Sequence, residues 1–172
     1  MADHLPDAVF LVGFMGSGKS SVGRLLAREL GYRFVDLDEE IERRRGMTVA
    51  QIFETEGEGE FRRLEAAALR DAGAQREVVV ATGGGTLTRW ENRDFILHRG
   101  VMVWLDAPLP LMLERCRGGE RRPLLGTPER MEELLAERFP GYAEAELRLD
   151  AAERTPRELA RDLAVQLAAR RR

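Results

Sequence analysis

Residues 13–20 read Gly-Phe-Met-Gly-Ser-Gly-Lys-Ser. They match G-x-x-x-x-G-K-[ST], the pattern of a loop that cradles the phosphates of a nucleoside triphosphate. In such a loop, backbone N–H groups and the following helix N-terminus face the phosphates. Lys19 would neutralise the β and γ oxygens, and the Ser20 hydroxyl would offer a ligand to Mg2+. Lys19 is the only lysine in a chain with 27 Lys and Arg residues. A compact ammonium fits between phosphates where a wide, planar guanidinium does not. Drift from lysine to arginine accounts for its absence elsewhere, but not for the position that kept it. The alternative, an idle Gly-rich turn, has to explain why a strand pattern precedes the loop and a helix pattern follows it.

Three further groups carry potential chemistry. Asp36-Leu37-Asp38 ends a short apolar run; in open parallel sheets, ligands bind beyond the carboxyl ends of the strands. The third apolar run, 78–82, ends without an acid, so Asp36 is the nearest second contact for a metal. Asp38 is placed to accept a proton from a substrate hydroxyl. The competing reading is that Asp38, Glu39 and Glu40 only cap a helix and favour its dipole. Gly83, Gly84 and Gly85 follow the third run; they permit positive φ and a close ligand approach, or form a turn of no function. Arg62, Arg122 and Arg138, read as lying off the helical faces, could hold a carboxylate bidentately or stabilise a phosphoryl group in flight. Any single arginine in so arginine-rich a chain is otherwise a surface residue.

Short apolar runs alternating with helical patterns are the sign of a parallel sheet with helices on its faces. The runs predict strands at 8–12, 33–36, 78–82, 101–105 and 146–149, and a helix over 19–30 ended by Gly31. Thr48-x-x-Gln51, Thr88-x-x-Glu91 and Thr155-x-x-Glu158 read as capping boxes. Leu159, Leu163 and Leu167 predict an amphipathic last helix packed on the sheet. Residues 117–126, rich in Gly, Arg and Pro without apolar period, read as an exposed, mobile loop. At 172 residues the expectation is one domain. A net charge of −3 gives no basic field for nucleic acid, and Arg43–Arg45 and Arg170–Arg172 read as solvated helix ends. Cys116 is the only cysteine, which suits a reducing compartment. The first apolar run is too short to span a bilayer and no secretory segment is read before it, so the expectation is a cytoplasmic protein without membrane or nucleic-acid partners. His4, His98, Trp90 and Trp104 read as tail, surface or core.

Residues 13–20, Asp36-x-Asp38, Gly57-Glu58-x-Glu60-Phe61-Arg62-x-x-Glu65, Gly83-Gly84-Gly85 and Arg122-Pro123-Leu124-Leu125 together resemble shikimate kinase in order and spacing, from about Val9 to the last helix. The resemblance implies a three-layer α/β fold of the nucleoside monophosphate kinase type, with a five-stranded parallel sheet in the order 2-3-1-4-5. Residues 38–73 would form the substrate-binding region and 117–126 a short lid. The implied reaction is transfer of the γ-phosphoryl of ATP, with Mg2+, to the 3-hydroxyl of shikimate on the route to chorismate and aromatic amino acids, by a monomer. Gly16, Ser17, Gly18, Lys19, Ser20 and Ser21 would bind ATP. Lys19 and Arg122 would contact the transferring phosphoryl group, and Arg122 arrives when the lid closes. Ser20 would ligate Mg2+, with Asp36 holding a metal-bound water. Asp38 would bond the reacting hydroxyl, and Arg62 and Arg138 the shikimate carboxylate, with Glu65 orienting Arg62. Gly83, Gly84 and Gly85 would line the substrate ring. Arg115 would stack on adenine, with Arg154 and Thr155 on its other side. Leu37 and Ser21 depart from the family's usual residues without removing a catalytic group.

The nearest rival is a sister kinase acting on gluconate or a nucleoside monophosphate; two arginines over a glycine floor suit a compact acid better than a base. A GTPase-type switch reads guanine through Asn-Lys-x-Asp, and the only lysine is already in the phosphate loop. A catalytically silent ATP-binding domain is disfavoured by the acids and arginines.

Overall fold

The computed structural model describes residues 5–117 and 126–170. Five parallel strands, β1 (Ala8–Val12), β2 (Arg33–Asp36), β3 (Val78–Ala81), β4 (Val101–Asp106) and β5 (Leu147–Asp150), form one sheet in the order β2-β3-β1-β4-β5. β1, the central strand, is fully buried along its length, as expected for a parallel sheet covered on both faces. Its register pairs Phe10 with Val80 on one side and Met102 on the other.

Among the described residues the sheet is accompanied by seven α-helices: α1 (Lys19–Leu30), α2 (Leu37–Arg45), α3 (Val49–Gly73), α4 (Trp90–Arg99), α5 (Leu109–Cys116), α6 (Pro128–Tyr142) and α7 (Pro156–Ala169). Successive residues of β1 point to opposite faces, and two glycines show how closely helices approach each. On one face a Cβ at Gly23 of α1 would stand 3.2 Å from Leu11 Cδ1; on the other, a Cβ at Gly73 of α3 would stand 3.1 Å from Phe10 Cζ. α1 starts after Gly18, at φ +100°, and stops at Gly31, at φ +71°, whose N–H bonds back to Arg28 O. α3 is broken at Gly57, where φ is +83° and ψ 167°.

The predicted strands and the first helix are found with bounds shifted by a residue at most. Three expectations need correction. Thr88 does not cap α4: its hydroxyl donates to Gly85 O at 2.7 Å, closing the tight turn Thr86–Thr88, and α4 begins from Arg89 without a side-chain cap. The capping boxes at Thr48 and Thr155 are present. The apolar stripe of α7, Leu159, Leu163 and Leu167, is buried, but it packs mainly on α1 rather than on the sheet. Finally, Arg62 and Arg138 are not off the helices; they sit within α3 and α6. Arg43, Arg44 and Arg45 end α2 and pair with Glu40, Asp71 and Glu56. Cys116 and Trp104 are buried, whereas Trp90 is 64% exposed. His4, Arg122, Pro123, Leu124, Leu125, Arg171 and Arg172 lie outside the described residues, and with them most of 117–126.

Candidate active site

The carboxyl ends of β1, β2 and β3 open onto a cavity of about 420 Å3. The β1–α1 loop forms one side of it. Gly13, Gly16 and Gly18 take φ of +147°, +78° and +100°, values that L side chains avoid. At Gly16 a Cβ would also stand 2.7 Å from Met112 O and 2.9 Å from Cys116 Sγ, so α5 backs the loop directly. Lys19, 9% exposed, turns its Nζ onto Gly13 O at 2.7 Å and Phe14 O at 3.0 Å. Gly16, Gly18, Lys19, Ser20 and Ser21 line the cavity. Ser17 is buried outside that lining, and its Oγ has no hydrogen-bond partner. Arg115 lines it as well, donating to Gly16 O at 3.2 Å.

The acids after β2 separate into distinct tasks. Asp36 is the N-cap of α2, its Oδ1 accepting from Asp38 N at 3.0 Å and Glu39 N at 3.2 Å. Its Oδ2 accepts from the Ser20 hydroxyl. Glu39 pairs with Arg24 at 2.6 Å. Glu40 pairs with Arg43 and Arg44, whose hydrogen bonds hold its carboxyl down at about 2. Asp38 is left facing the cavity, and its Oδ1 is buried without a hydrogen-bond partner. Burial, reinforced by the negative charges of Asp36 and Glu65, pushes its carboxyl up to about 7, against the pull of Lys19. Burial makes ionisation costly, so Asp38 keeps its proton up to near neutrality. The alternative that 38–40 cap the helix and favour its dipole holds in part: the cap is Asp36 instead, while all three acids do lie in the first turn of α2.

The opposite wall comes from distant parts of the chain. Arg62 on α3 donates to Glu65 Oε2 at 2.8 Å, and Glu65 is fully buried. Arg138 on α6 is 7% exposed and leaves Nε and Nη1 without partners. Burial pushes its guanidinium below the usual value. Unpaired, buried N–H groups of a cation are expensive to maintain, and both arginines line the cavity. The turn 83–85 fits between them. None of its glycines has positive φ, contrary to the conformational reason read from sequence. Their smallness is spatial: a Cβ at Gly83 would lie 2.6 Å from Glu65 Oε1, at Gly84 3.0 Å from Arg138 Nη1, and at Gly85 within the Arg62 guanidinium. Val49, Phe53 and Phe61 supply an apolar wall, Phe53 and Phe61 lying 4.7 Å apart by ring centroids.

Lys19, Ser20, Asp36, Asp38, Arg62, Glu65, Gly83, Gly84, Gly85, Arg115 and Arg138 therefore share one cavity. Arg154 and Thr155 do not line it: Arg154 pairs with Asp162 at 2.9 Å, and Thr155 forms the α7 capping box. Sequence reasoning missed Glu42, a cavity-lining residue one helical turn from Asp38, which the i, i+4 spacing signals. It also missed Thr86, Asn92 and Tyr142, buried residues behind the arginines, for which no local signal exists.

Residues 15–168 match the family model described as Shikimate kinase. A shikimate kinase from Gloeobacter violaceus is 48% identical over 168 residues, covering 94% of each chain. Another, from Geobacter sulfurreducens, is 45% identical over 91% of this chain and 88% of its own. Among solved structures, the shikimate kinase from Acinetobacter baumannii in complex with shikimate superposes with a TM-score of 0.91 at 41% identity, over 96% of this chain and 93% of that one. No helix among the described residues is long and apolar enough to cross a membrane. On the fold, the cavity and these matches, the chain belongs to the shikimate kinase family.

Proposed function

We infer that this chain phosphorylates the 3-hydroxyl of shikimate from MgATP, and that the residues gathered in the cavity do so in the roles that follow. The observation that carries this reading is the polarity of the site: a phosphate loop on one wall, two arginines from separate helices on the other, and Asp38 between them. A small acid with a ring hydroxyl spans such a cavity with its carboxylate on Arg62 and Arg138, where the orphaned Nε and Nη1 of Arg138 find an anionic acceptor. Its reacting hydroxyl then faces Asp38, which takes up the proton as the oxygen bonds to phosphorus. Lys19 exchanges the loop carbonyls for phosphate oxygens. Such transfers rest on positioning and charge stabilisation rather than covalent chemistry. Arg122 is proposed as a second cation on the transferring group, carried by the segment 117–126 as a lid that excludes water.

Ser20 Oγ and Asp36 Oδ2 stand together at the loop, two hard oxygen donors of the kind Mg2+ takes while keeping waters and phosphate oxygens. Ser20 would hold the ion directly and Asp36 through a water; when bound, the ion supplies charge neutralisation on the β and γ oxygens. The chain is read as one kinase domain, a cytoplasmic monomer serving aromatic amino acid biosynthesis, with 38–73 on the acceptor side. Arg154 and Thr155 remain candidates for the far face of adenine.

A coupled ADP-release assay with shikimate, gluconate and a panel of nucleoside monophosphates tests the reading. Turnover confined to shikimate and dependent on Mg2+ is expected. Turnover confined to another acceptor would overturn the substrate assignment.

A further inference from the structure

The two cavity arginines are tied to one short piece of chain, the turn that leaves β3. Behind Arg62, the carboxylate of Glu65 is shared: Oε2 accepts from Arg62 and Oε1 accepts from the Thr86 hydroxyl at 2.7 Å. Thr86 is fully buried and is itself fixed at both ends of its backbone unit. Its N–H bonds to Gly83 O at 3.2 Å, and its carbonyl accepts from Nδ2 of the buried Asn92 at 2.9 Å. Behind Arg138, the Tyr142 hydroxyl donates to Gly84 O at 2.6 Å, and Arg138 rests on that same residue: a Cβ at Gly84 would stand 3.0 Å from its Nη1. Trp104 stacks on Tyr142 with ring centroids 5.9 Å apart, holding the phenol in its slot. Thus Thr86 holds Arg62 through Glu65, and Tyr142 holds the Gly84 backbone on which Arg138 rests.

We propose that Thr86 and Tyr142 are positioning residues that set the spacing of the Arg62 and Arg138 guanidiniums, and so the affinity for the acceptor's carboxylate, through the Gly84–Thr86 turn. The inference rests on the functional reading above and names what tunes it. Neither residue lines the cavity, so neither touches substrate; their effect reaches it through the arginines alone. Without the Thr86 hydroxyl, a buried carboxylate oxygen of Glu65 loses its donor, and the carboxylate turns to seek another. Without the Tyr142 hydroxyl, the Gly84 carbonyl loses its donor, and the backbone on which Arg138 rests is no longer fixed. A bidentate grip depends on geometry more than on charge, so both changes loosen the grip while leaving two cations in the cavity.

The test compares wild type with Thr86→Val, Thr86→Ser, Tyr142→Phe and the Val/Phe double variant, measuring KM and kcat for shikimate, KM for ATP, and kcat/KM for the methyl ester of shikimate. Thr86→Val and Tyr142→Phe are each expected to raise KM for shikimate about tenfold, which is about 1.4 kcal/mol. KM for ATP should stay within about twofold, because hydrogen bonds to charged groups are lost only on the acceptor side. Thr86→Ser should restore the wild-type KM. The methyl ester, which offers the arginines no charged carboxylate, should lose less than about threefold. In the double variant the two effects should fall short of the product, since both act through one turn. The proposal is overturned if the KM for shikimate stays put, or if shikimate, its ester and ATP all weaken together, as a merely structural lesion would produce. Absence of shikimate turnover in the wild type would instead overturn the functional reading itself.

Discussion

The phosphate loop takes its shape from eight consecutive residues, 13–20, running from the end of β1 into the first turn of α1, with backbone carbonyls of Gly13 and Phe14 holding Lys19. The opposite side draws Arg62 and Glu65 from α3, Gly84 and Gly85 from the turn after β3, and Arg138 from α6, and meets the loop at Asp38 from α2. One side is written locally, by glycines whose positive φ dictates the path of the loop. The other exists only when four separate elements are packed, and it leaves Asp38 Oδ1 and Arg138 Nε and Nη1 without partners. The contrast teaches where each side is vulnerable. The loop fails when its chemistry is changed, and the acceptor wall fails when its geometry is changed.

Removing the one titrating group between the two sides should do the most damage. Asp38→Asn keeps the shape but cannot accept a proton; kcat is expected to fall by about a thousandfold, with MgATP binding preserved. A wild-type rate would remove Asp38 from the chemistry and leave the two sides without a link. On the loop side, Lys19→Arg retains charge yet widens the head group, and a fall in kcat of about a hundredfold is expected at unchanged shikimate KM. Near-normal kcat would show that the loop is tolerant and its single lysine a relic of composition.

The pH profile gives a smaller, graded effect. Because the Asp38 carboxyl is pushed up to about 7 and the proposed base must be ionised, kcat/KM for shikimate should drop about tenfold per unit below that value. Stability should run the other way. The folded chain holds this proton more tightly than an unfolded one, for which the reference value is 3.8. The stabilisation is therefore fully present below about 4 and lost as pH rises through about 7. In Asp38→Asn that part of the slope of Tm against pH should vanish; an unchanged slope would mean that burial does not burden Asp38.

The same contrast decides what was legible in the sequence. The loop motif, the strand before it and the helix after it are encoded by neighbours, and a parallel sheet with helices on its faces follows from the alternation of buried runs with helices; the strand order was legible only through the resemblance. Asp36 and Asp38 were legible as a pair, but not their division of labour. That division depends on Asp36 reaching Ser20 across the sheet and on arginines drawing Glu39 and Glu40 away. Gly83, Gly84 and Gly85 were legible as a floor, yet the reason is the crowding of Glu65, Arg138 and Arg62 rather than the dihedral freedom of glycine. Arg62 and Arg138 could be chosen among many arginines only by resemblance, because what distinguishes them is burial. Thr86, Asn92 and Tyr142 carry no periodic or motif signal, and their place behind the arginines emerges only from packing.

The claim that one wall holds phosphate and the other a carboxylate is tested most directly by titrating shikimate and MgATP calorimetrically into wild type and Arg138→Met. Removing the buried guanidinium while keeping its volume should weaken shikimate about a hundredfold, as loss of a buried, charged partner does, and leave MgATP within about twofold. Equal weakening of both ligands, or none of shikimate, would contradict the division of the cavity into two independently built walls.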